Sequence, residues 1–260
     1  MKQALVLAAG LGTRLKPYTD SMPKALVPVG GKPLLWHTLQ RLHRAGYARV
    51  IINIHHFGDQ ILRYLDQHDH FSADARCLDD RLGMDIHISD ERDLLRDTGG
   101  ALRHARQLIL PDRPLLVHNV DIFSDLDLHA LEQNGDDTVT RLVVSERQTQ
   151  RYLLFCPDDL QLHGWTNTAT GELRGPVADT PQRAASCRQL AFAGIHLVAP
   201  TLLPRLEAWP ERFSIIDFYL DACRHAPVRA FCPPLLHLLD VGKLDTLAQA
   251  EEWCQGHTND

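Results

Sequence analysis

The chain has 260 residues, of which 44% are hydrophobic and 23% charged, with a formal net charge of −6. That length supports one large domain or two small ones with a sizeable core, and the composition is that of a globular protein. The acidic balance excludes a general nucleic-acid binder, which needs a basic face, and no apolar run approaches the ~20 residues that cross a bilayer.

In chain order, Gln3–Ala9 is continuously apolar over "ALVLAA", as a central parallel strand is. Pro33 to Ala45 reads as a helix, with Leu34, Leu35, Leu39, Leu42 and Ala45 at three- and four-residue steps, Pro33 in the first turn and Gly46 as the C-terminal cap. "ARVIINIHH" (Ala48–His56) is a second strand, and Asp59 to about Asp69 a second helix. "MDIHISDE" (Met84–Glu91) is a third strand, Gly99–Leu110 a helix closed by Pro111, and "PLLVHNVD" (Pro114–Asp121) a fourth strand ending in an aspartate. This alternation predicts a parallel sheet with helices on both faces, whose ligands sit at the carboxyl ends of the strands.

After Asp136 the pattern turns β-rich. "DTVTRLVVSE", "RYLLFCPDDLQLHGWTN" and "AFAGIHLVAP" read as strands, with a hairpin about Pro157–Asp159. "FSIIDFYLDACRH" is a helix with Ser214 at the N-cap and Asp217 at N3, a capping-box variant. "VRAFCPPLLHLLDVGKLDTLAQAEEWC" gives a strand, a loop at "DVG" and a terminal helix. With no linker or repeat, the expectation is one domain whose β-rich part covers the mouth of the first. The cysteines (Cys77, Cys156, Cys187, Cys223, Cys232, Cys254) form no CxxC pair and read as reduced, packed thiols, not as disulfides or a zinc site. The chain enters a strand at once without a signal-peptide pattern, so a cytoplasmic protein without membrane or nucleic-acid partners is expected.

The first strand stops at Ala8–Ala9–Gly10, and a small-residue loop then leads to Arg14 and Lys24. Two glycines followed by two cations point to a phosphate-rich ligand. A dinucleotide fingerprint would need a third glycine and a P-loop would need GxxxxGK[ST]; neither is present. "LAAGLGTRLKPYTDSMPKALVPVGGKPLL" (Leu7–Leu35) does resemble the signature of the sugar-1-phosphate nucleotidyltransferases, the nucleoside-diphosphate-sugar pyrophosphorylases, close to LAAGxGTRLxPxTxxxPKxLxPVxGKP. "RDTGGAL" (Arg96–Leu102) resembles that family's base-contacting segment. "HNVDIF" resembles its strand ending in GD, with Asn119 where glycine is usual. "LLDVGKLDTLAQA" resembles its closing DxGTPxxLxxA, with Lys243 in place of threonine.

The resemblance implies an α/β, Rossmann-like three-layer α/β/α fold with a mostly parallel mixed sheet and a β-rich sugar-binding part. It implies a single domain over 1–260, with 1–135 binding the nucleotide and 136–260 binding the sugar and supplying the closing helix. The implied activity joins an NTP to a sugar 1-phosphate with Mg²⁺, forming an NDP-sugar and pyrophosphate, by a monomer or homodimer. That chemistry needs positioning and charge neutralisation on both sides of the transferred phosphoryl group. Arg14 offers multidentate donors to the β- and γ-phosphates and Lys24 a point charge near the reacting phosphate. Ala8, Ala9, Gly10, Gly12, Thr13, Arg14, Thr98 and Gly99 are the expected nucleotide contacts, Asn167 and Gly194 the expected sugar contacts, and Asp121 and Asp240 the expected Mg²⁺ ligands.

Each assignment has a structural competitor. The glycines could simply make a tight turn, Asp121 could cap a helix, Thr98 and Gly99 could start one, and Trp165 could be core. Lys243 could pair with Asp240 or contact a phosphate. Ala9 and "DTGG" look most like the short uridylyltransferases acting on N-acetylmuramic acid 1-phosphate, which favours UTP. A mannose-1-phosphate guanylyltransferase, a phosphocholine cytidylyltransferase and a non-catalytic nucleotide-sugar sensor are the alternatives, and a nicotinamide dehydrogenase a distant one.

Overall fold

A computed structural model describes residues 1–67, 76–77, 84–133 and 136–256. β1 (Lys2–Leu7) pairs in parallel with β2 (Tyr47–Ile54) on one side and with β4 (Leu115–Asn119) on the other, and β2 pairs in parallel with β3 (Asp85–Asp90). Both faces of this central strand are covered. Ala4 and Val6 pack with Leu34 and Leu39 of α1 (Leu34–Arg44), and Leu5 packs with Leu102 of α3 (Asp97–His104) and Phe218 of α5 (Ile215–Ala222); none is more than 1% exposed. Burial on two faces is why the strand is apolar without alternation. The result is the expected helix–sheet–helix sandwich.

The β-rich half differs from expectation in one respect: it continues the sheet edgewise and is not a separate cover. β10 (Arg188–Val198) joins β4 antiparallel, followed outward by β7 (Arg151–Phe155), β8 (Leu162–Asn167) and β9 (Glu172–Arg174). β6 (Thr140–Ser145) pairs with β10 and, in parallel, with β11 (Val228–Phe231). The sheet is therefore mixed, with its parallel core around β1. A separate antiparallel ribbon of β5 (Ile122–Ser124) and β12 (Leu238–Asp240) sits at the strand ends. α6 (Leu244–Gly256) packs through the fully buried Ala250 onto the same core as α1.

Several element limits shift for local reasons. α2 spans Gly58–Gln67, with its expected end near Asp69 outside the described residues, and a short α4 spans Leu128–Gln133. The helix expected over Gly99–Leu110 begins at Asp97 and tightens to a 3-10 turn at Ala105–Leu108. The fourth strand ends at Asn119, so Asp121 stands in the turn between β4 and β5. Ser214 caps α5 as expected, accepting from the Ile216 amide at 3.3 Å. Asp217 does not complete a capping box: its carboxylate takes Arg174 at 2.6 Å, an ion pair with β9. Cys156, Cys187, Cys223, Cys232 and Cys254 carry free thiols. No described helix is long and apolar enough to cross a membrane.

Candidate active site

β2 and β4 flank β1: the chain crosses from β1 to β2 and β3 on one side, then returns to β4 on the other. The carboxyl end of β1 is therefore a topological switch point, where open α/β sheets form a crevice. A cleft of about 460 Å³ lies there. Ala9, Gly10, Gly12, Thr13, Arg14 and Lys24 form one wall, Thr98 another, and Asn119, Asp121 and Gly242 the floor.

The loop after β1 is held from below. Asn53, at the end of β2, accepts the Ala8 amide at 2.6 Å and the Ala9 amide at 3.3 Å, and donates to Glu91 Oε1 at 3.0 Å. Of these two expected nucleotide contacts, Ala9 lines the cleft and Ala8 does not, and the amides of both are engaged by Asn53. Gly12 has φ +64°, and a Cβ on it would meet Thr19 Cγ2 at 2.7 Å. Only glycine gives the loop both that backbone and that contact. A Cβ on Gly10 would meet nothing, which leaves open space on the cleft side.

The two aspartates, far apart in sequence, are brought together by the ribbon. Asp240 stands opposite Ile122 in the β5–β12 pairing, and the Val241 amide donates to the Asp121 carbonyl at 2.9 Å. Lys24 forms an ion pair with Asp121, and the two side chains are only 11% and 13% exposed. Burial pushes the Asp240 carboxyl above its usual pKa; neighbouring Asp121 pushes the same way, against the pull of Lys24 and Arg14. Gly242 lets Arg14 settle against this corner: a Cβ there would lie 2.6 Å from Asp240 Oδ1 and 2.7 Å from Arg14 Nη2. Two carboxylates in mutual repulsion, opening on a phosphate-sized cleft, form a donor set that suits a hard divalent ion completed by phosphate oxygens and water. Among the described residues no group of three or more His, Cys, Asp or Glu side chains could hold a metal ion by itself.

Thr98 and Gly99 open α3 on the far wall. The Thr98 hydroxyl accepts the Ile215 amide at 3.0 Å, and the Gly99 and Gly100 amides donate to the Phe213 carbonyl at 2.9 and 3.2 Å. The double glycine is thus a packing device: a Cβ would lie 2.3 Å from the Phe213 ring at Gly99 and 2.2 Å from the Glu211 carbonyl at Gly100. Gly100→Ala must displace backbone, so a loss of about 1–3 kcal/mol is expected. A thermal melt checks it, and an unchanged midpoint contradicts the close approach. Asp97, just before Thr98, holds φ +61°, a left-handed conformation uncommon outside glycine, at the edge of the cleft.

Of the two expected sugar contacts the structure brings only Gly194 near the cleft. Gly194 has φ +76° and lies against Asn119, whose Nδ2 would be 2.8 Å from a Cβ. Asn167 caps the tight turn after β8, accepting the Ala169 amide at 3.0 Å. Trp165 is core, 8% exposed, with the Arg174 guanidinium 3.8 Å from its ring centroid. In "HNVDIF" the residue directly before Asp121 is Val120, so the departure from glycine belongs to Val120, which is 3% exposed, and not to Asn119. Lys243 is exposed, and no ion pair with Asp240 is found among the described residues.

Among the cleft residues that sequence reasoning passed over are the polar Asn53, Glu91 and Arg212. Glu91 is fully buried, its Oε2 has no hydrogen-bond partner, and burial raises its carboxyl pKa. The available signal was position, because Asn53 and Glu91 both stand at the ends of parallel strands.

A family model described as Nucleotidyl transferase matches residues 3–154. The N-acetylmuramate alpha-1-phosphate uridylyltransferase of Caulobacter vibrioides is 43% identical over 120 residues, 46% of this chain and 46% of that protein. Its namesake in Neisseria meningitidis serogroup B is 38% identical over 134 residues, 51% of this chain and 52% of that one. The mannose-1-phosphate guanylyltransferase catalytic subunit beta of Danio rerio is 28% identical over 214 residues, 80% of this chain and 52% of its own. The chain spans about half the length of the curated relatives it matches. Among solved structures, HddC from Yersinia pseudotuberculosis superposes with a TM-score of 0.70 at 21% identity, covering 97% of this chain and 99% of that one. UDP-glucose pyrophosphorylase from Acinetobacter baumanii gives 0.74 at 17% identity, covering 100% and 95%. At these identities the structures speak for the fold alone.

Proposed function

The chain belongs to the nucleotidyl transferase family, and from that premise we propose that it transfers a nucleoside monophosphate from an NTP to a sugar 1-phosphate. Residues 1–135 hold the nucleotide, 136–260 hold the sugar, and the shared sheet lets them act as one unit. A phosphate oxygen of the sugar 1-phosphate attacks the α-phosphorus, the bond to the β-phosphate breaks, and pyrophosphate leaves in line. No covalent enzyme intermediate is needed. Arg14 neutralises the β- and γ-phosphates as they depart, and Lys24 steadies Asp121 and the reacting phosphate. Asp121 and Asp240 would hold a Mg²⁺ ion, which would supply the positive charge that transfer of the α-phosphate needs. The observation that carries this reading is the Asp121–Asp240 pair, tied to Lys24 and Arg14 at the sheet's switch point.

UTP is the favoured nucleotide and N-acetylmuramate 1-phosphate the favoured acceptor, supported by the relatives of 38–43% identity that carry those substrates in their names. GTP is the second reading. It is supported by the mannose-1-phosphate guanylyltransferase relative, 28% identical over 80% of this chain. The test is pyrophosphate release with Mg²⁺, crossing UTP, dTTP, CTP, GTP and ATP against a panel of sugar 1-phosphates plus phosphocholine. UTP with N-acetylmuramate 1-phosphate should be fastest. Tight nucleotide binding with no release from any pair would replace this reading with a sensor.

A further inference from the structure

Behind Asn119, which lines the cleft, the sheet carries a break in pairing. Ala191 faces Ser145 and Phe192 faces Val144, but the next pair is His196 with Leu142, so β10 carries more chain than β6 across this interval. Such a bulge bends a strand and re-aims what it carries beside a binding site. Here it contains Gly194, pressed against Asn119 next to Asp121.

Arg147 is tied to this bulge. It follows β6 by two residues, and its guanidinium donates to the Phe192 carbonyl at 2.8 Å, where regular pairing ends. Desolvation draws its pKa below the usual arginine value, and Asp240 pulls the other way. The adjacent acid, Glu146, does not neutralise it, because Glu146 takes Arg188 at 3.0 Å. A guanidinium stays charged and presents five N–H donors in a fixed fork. One carbonyl leaves most of that fork for an anion. Arg174 covers Trp165 and pairs with Asp217, so it is committed elsewhere, while Arg14, Lys24 and Arg212 line the nucleotide cleft itself. Yet an acceptor phosphate must be drawn towards a site already crowded with triphosphate charge.

We propose that Arg147 pairs with the 1-phosphate of the acceptor sugar, held in place by the Phe192 carbonyl; this contact rests on the transferase reading above. The test compares wild type with Arg147→Gln and Arg147→Lys in pyrophosphate release from UTP and N-acetylmuramate 1-phosphate. N-acetylglucosamine 1-phosphate, which keeps the phosphate but lacks the lactyl carboxylate, serves as the competitor. In Arg147→Gln the acceptor KM and the competitor Ki should both rise about tenfold, while the UTP KM and the melting temperature hold; Arg147→Lys should recover part of the loss. An unchanged acceptor KM, or an equal rise in the UTP KM, overturns the contact. A raised acceptor KM with an unchanged competitor Ki also overturns it, because the arginine would then read the carboxylate. A wild type that releases no pyrophosphate with any acceptor removes the transferase reading and this contact together. An active wild type with an unaffected Arg147→Gln removes the contact alone.

Discussion

Replacing Asp240 with asparagine should lower pyrophosphate release by roughly 10²–10³-fold and, at the same time, raise the melting temperature of the metal-free protein. The two effects have one cause. Desolvation at this corner, and the charge of neighbouring Asp121, raise the Asp240 carboxyl pKa, so the fold disfavours its charged form. Asparagine keeps the shape and removes the repulsion. It also removes half of the charge that a divalent cation needs. Asp121→Asn should lose activity to a similar degree but melt lower, because it takes away the carboxylate that pairs with the largely buried Lys24. Melts in EDTA and steady-state turnover of the two variants check this. An Asp240→Asn enzyme within tenfold of wild type would remove Asp240 from the site, and a lower melting temperature would refute the repulsion.

Acid should destabilise the protein well above the range where its carboxylates titrate. His118 and His196 are buried in the sheet on β4 and β10, at 0% and 1% exposure. Burial, with Arg41 nearby, pulls His118 down to about 4; burial, with His118 nearby, pulls His196 down to about 3. Both folded values lie below the usual 6.5, so the unfolded chain takes the protons first. Their contribution is complete above pH 6.5 and is lost as pH falls towards 4 and 3. Each histidine approaches a slope of about 1.4 kcal/mol per pH unit below pH 6.5, so the pair removes about 3 kcal/mol between pH 6.5 and 5. That is a large part of the roughly 5–15 kcal/mol of a typical domain. Glu91, whose carboxyl pKa is raised by burial, acts in the opposite direction and tempers the slope. Neither His196 ring nitrogen has a partner, and the ring lies 5.4 Å from Phe192 and 5.5 Å from Tyr219, so His196→Phe should fit and halve the slope. Urea midpoints at pH 7, 6 and 5 measure it, and a flat wild-type profile would contradict the buried neutral pair.

What could be read from sequence was what local chemistry fixes. The unbroken apolar run of β1 announced a strand buried on both faces, and Gly10, Gly12, Arg14 and Lys24 announced the loop that follows. Asp121 and Asp240 stood out as carboxylates within recognisable segments. Their meeting depends on the β5–β12 ribbon, which no periodicity reveals because each strand has only three residues. Asn53 and Glu91 were hidden for a related reason: a polar residue at a strand end looks the same whether it faces solvent or holds the neighbouring loop. The double glycine was read for its ligand, although its nearest constraint is the carbonyl of Glu211. Asn167 failed to reach the cleft because an asparagine two residues before a turn amide makes a local cap first. The bulge at Gly194 belongs to pairing between distant strands and leaves only a glycine as its trace.

The central claim is that the Asp121–Asp240 pair holds the divalent ion for nucleotidyl transfer. Its most direct test is a Mg²⁺ titration of pyrophosphate release from UTP and N-acetylmuramate 1-phosphate by wild-type protein stripped with EDTA. Release should vanish on chelation and return along a saturating curve as Mg²⁺ is restored. Undiminished release after chelation, or none at any Mg²⁺ concentration with any of the five nucleotides, would contradict it.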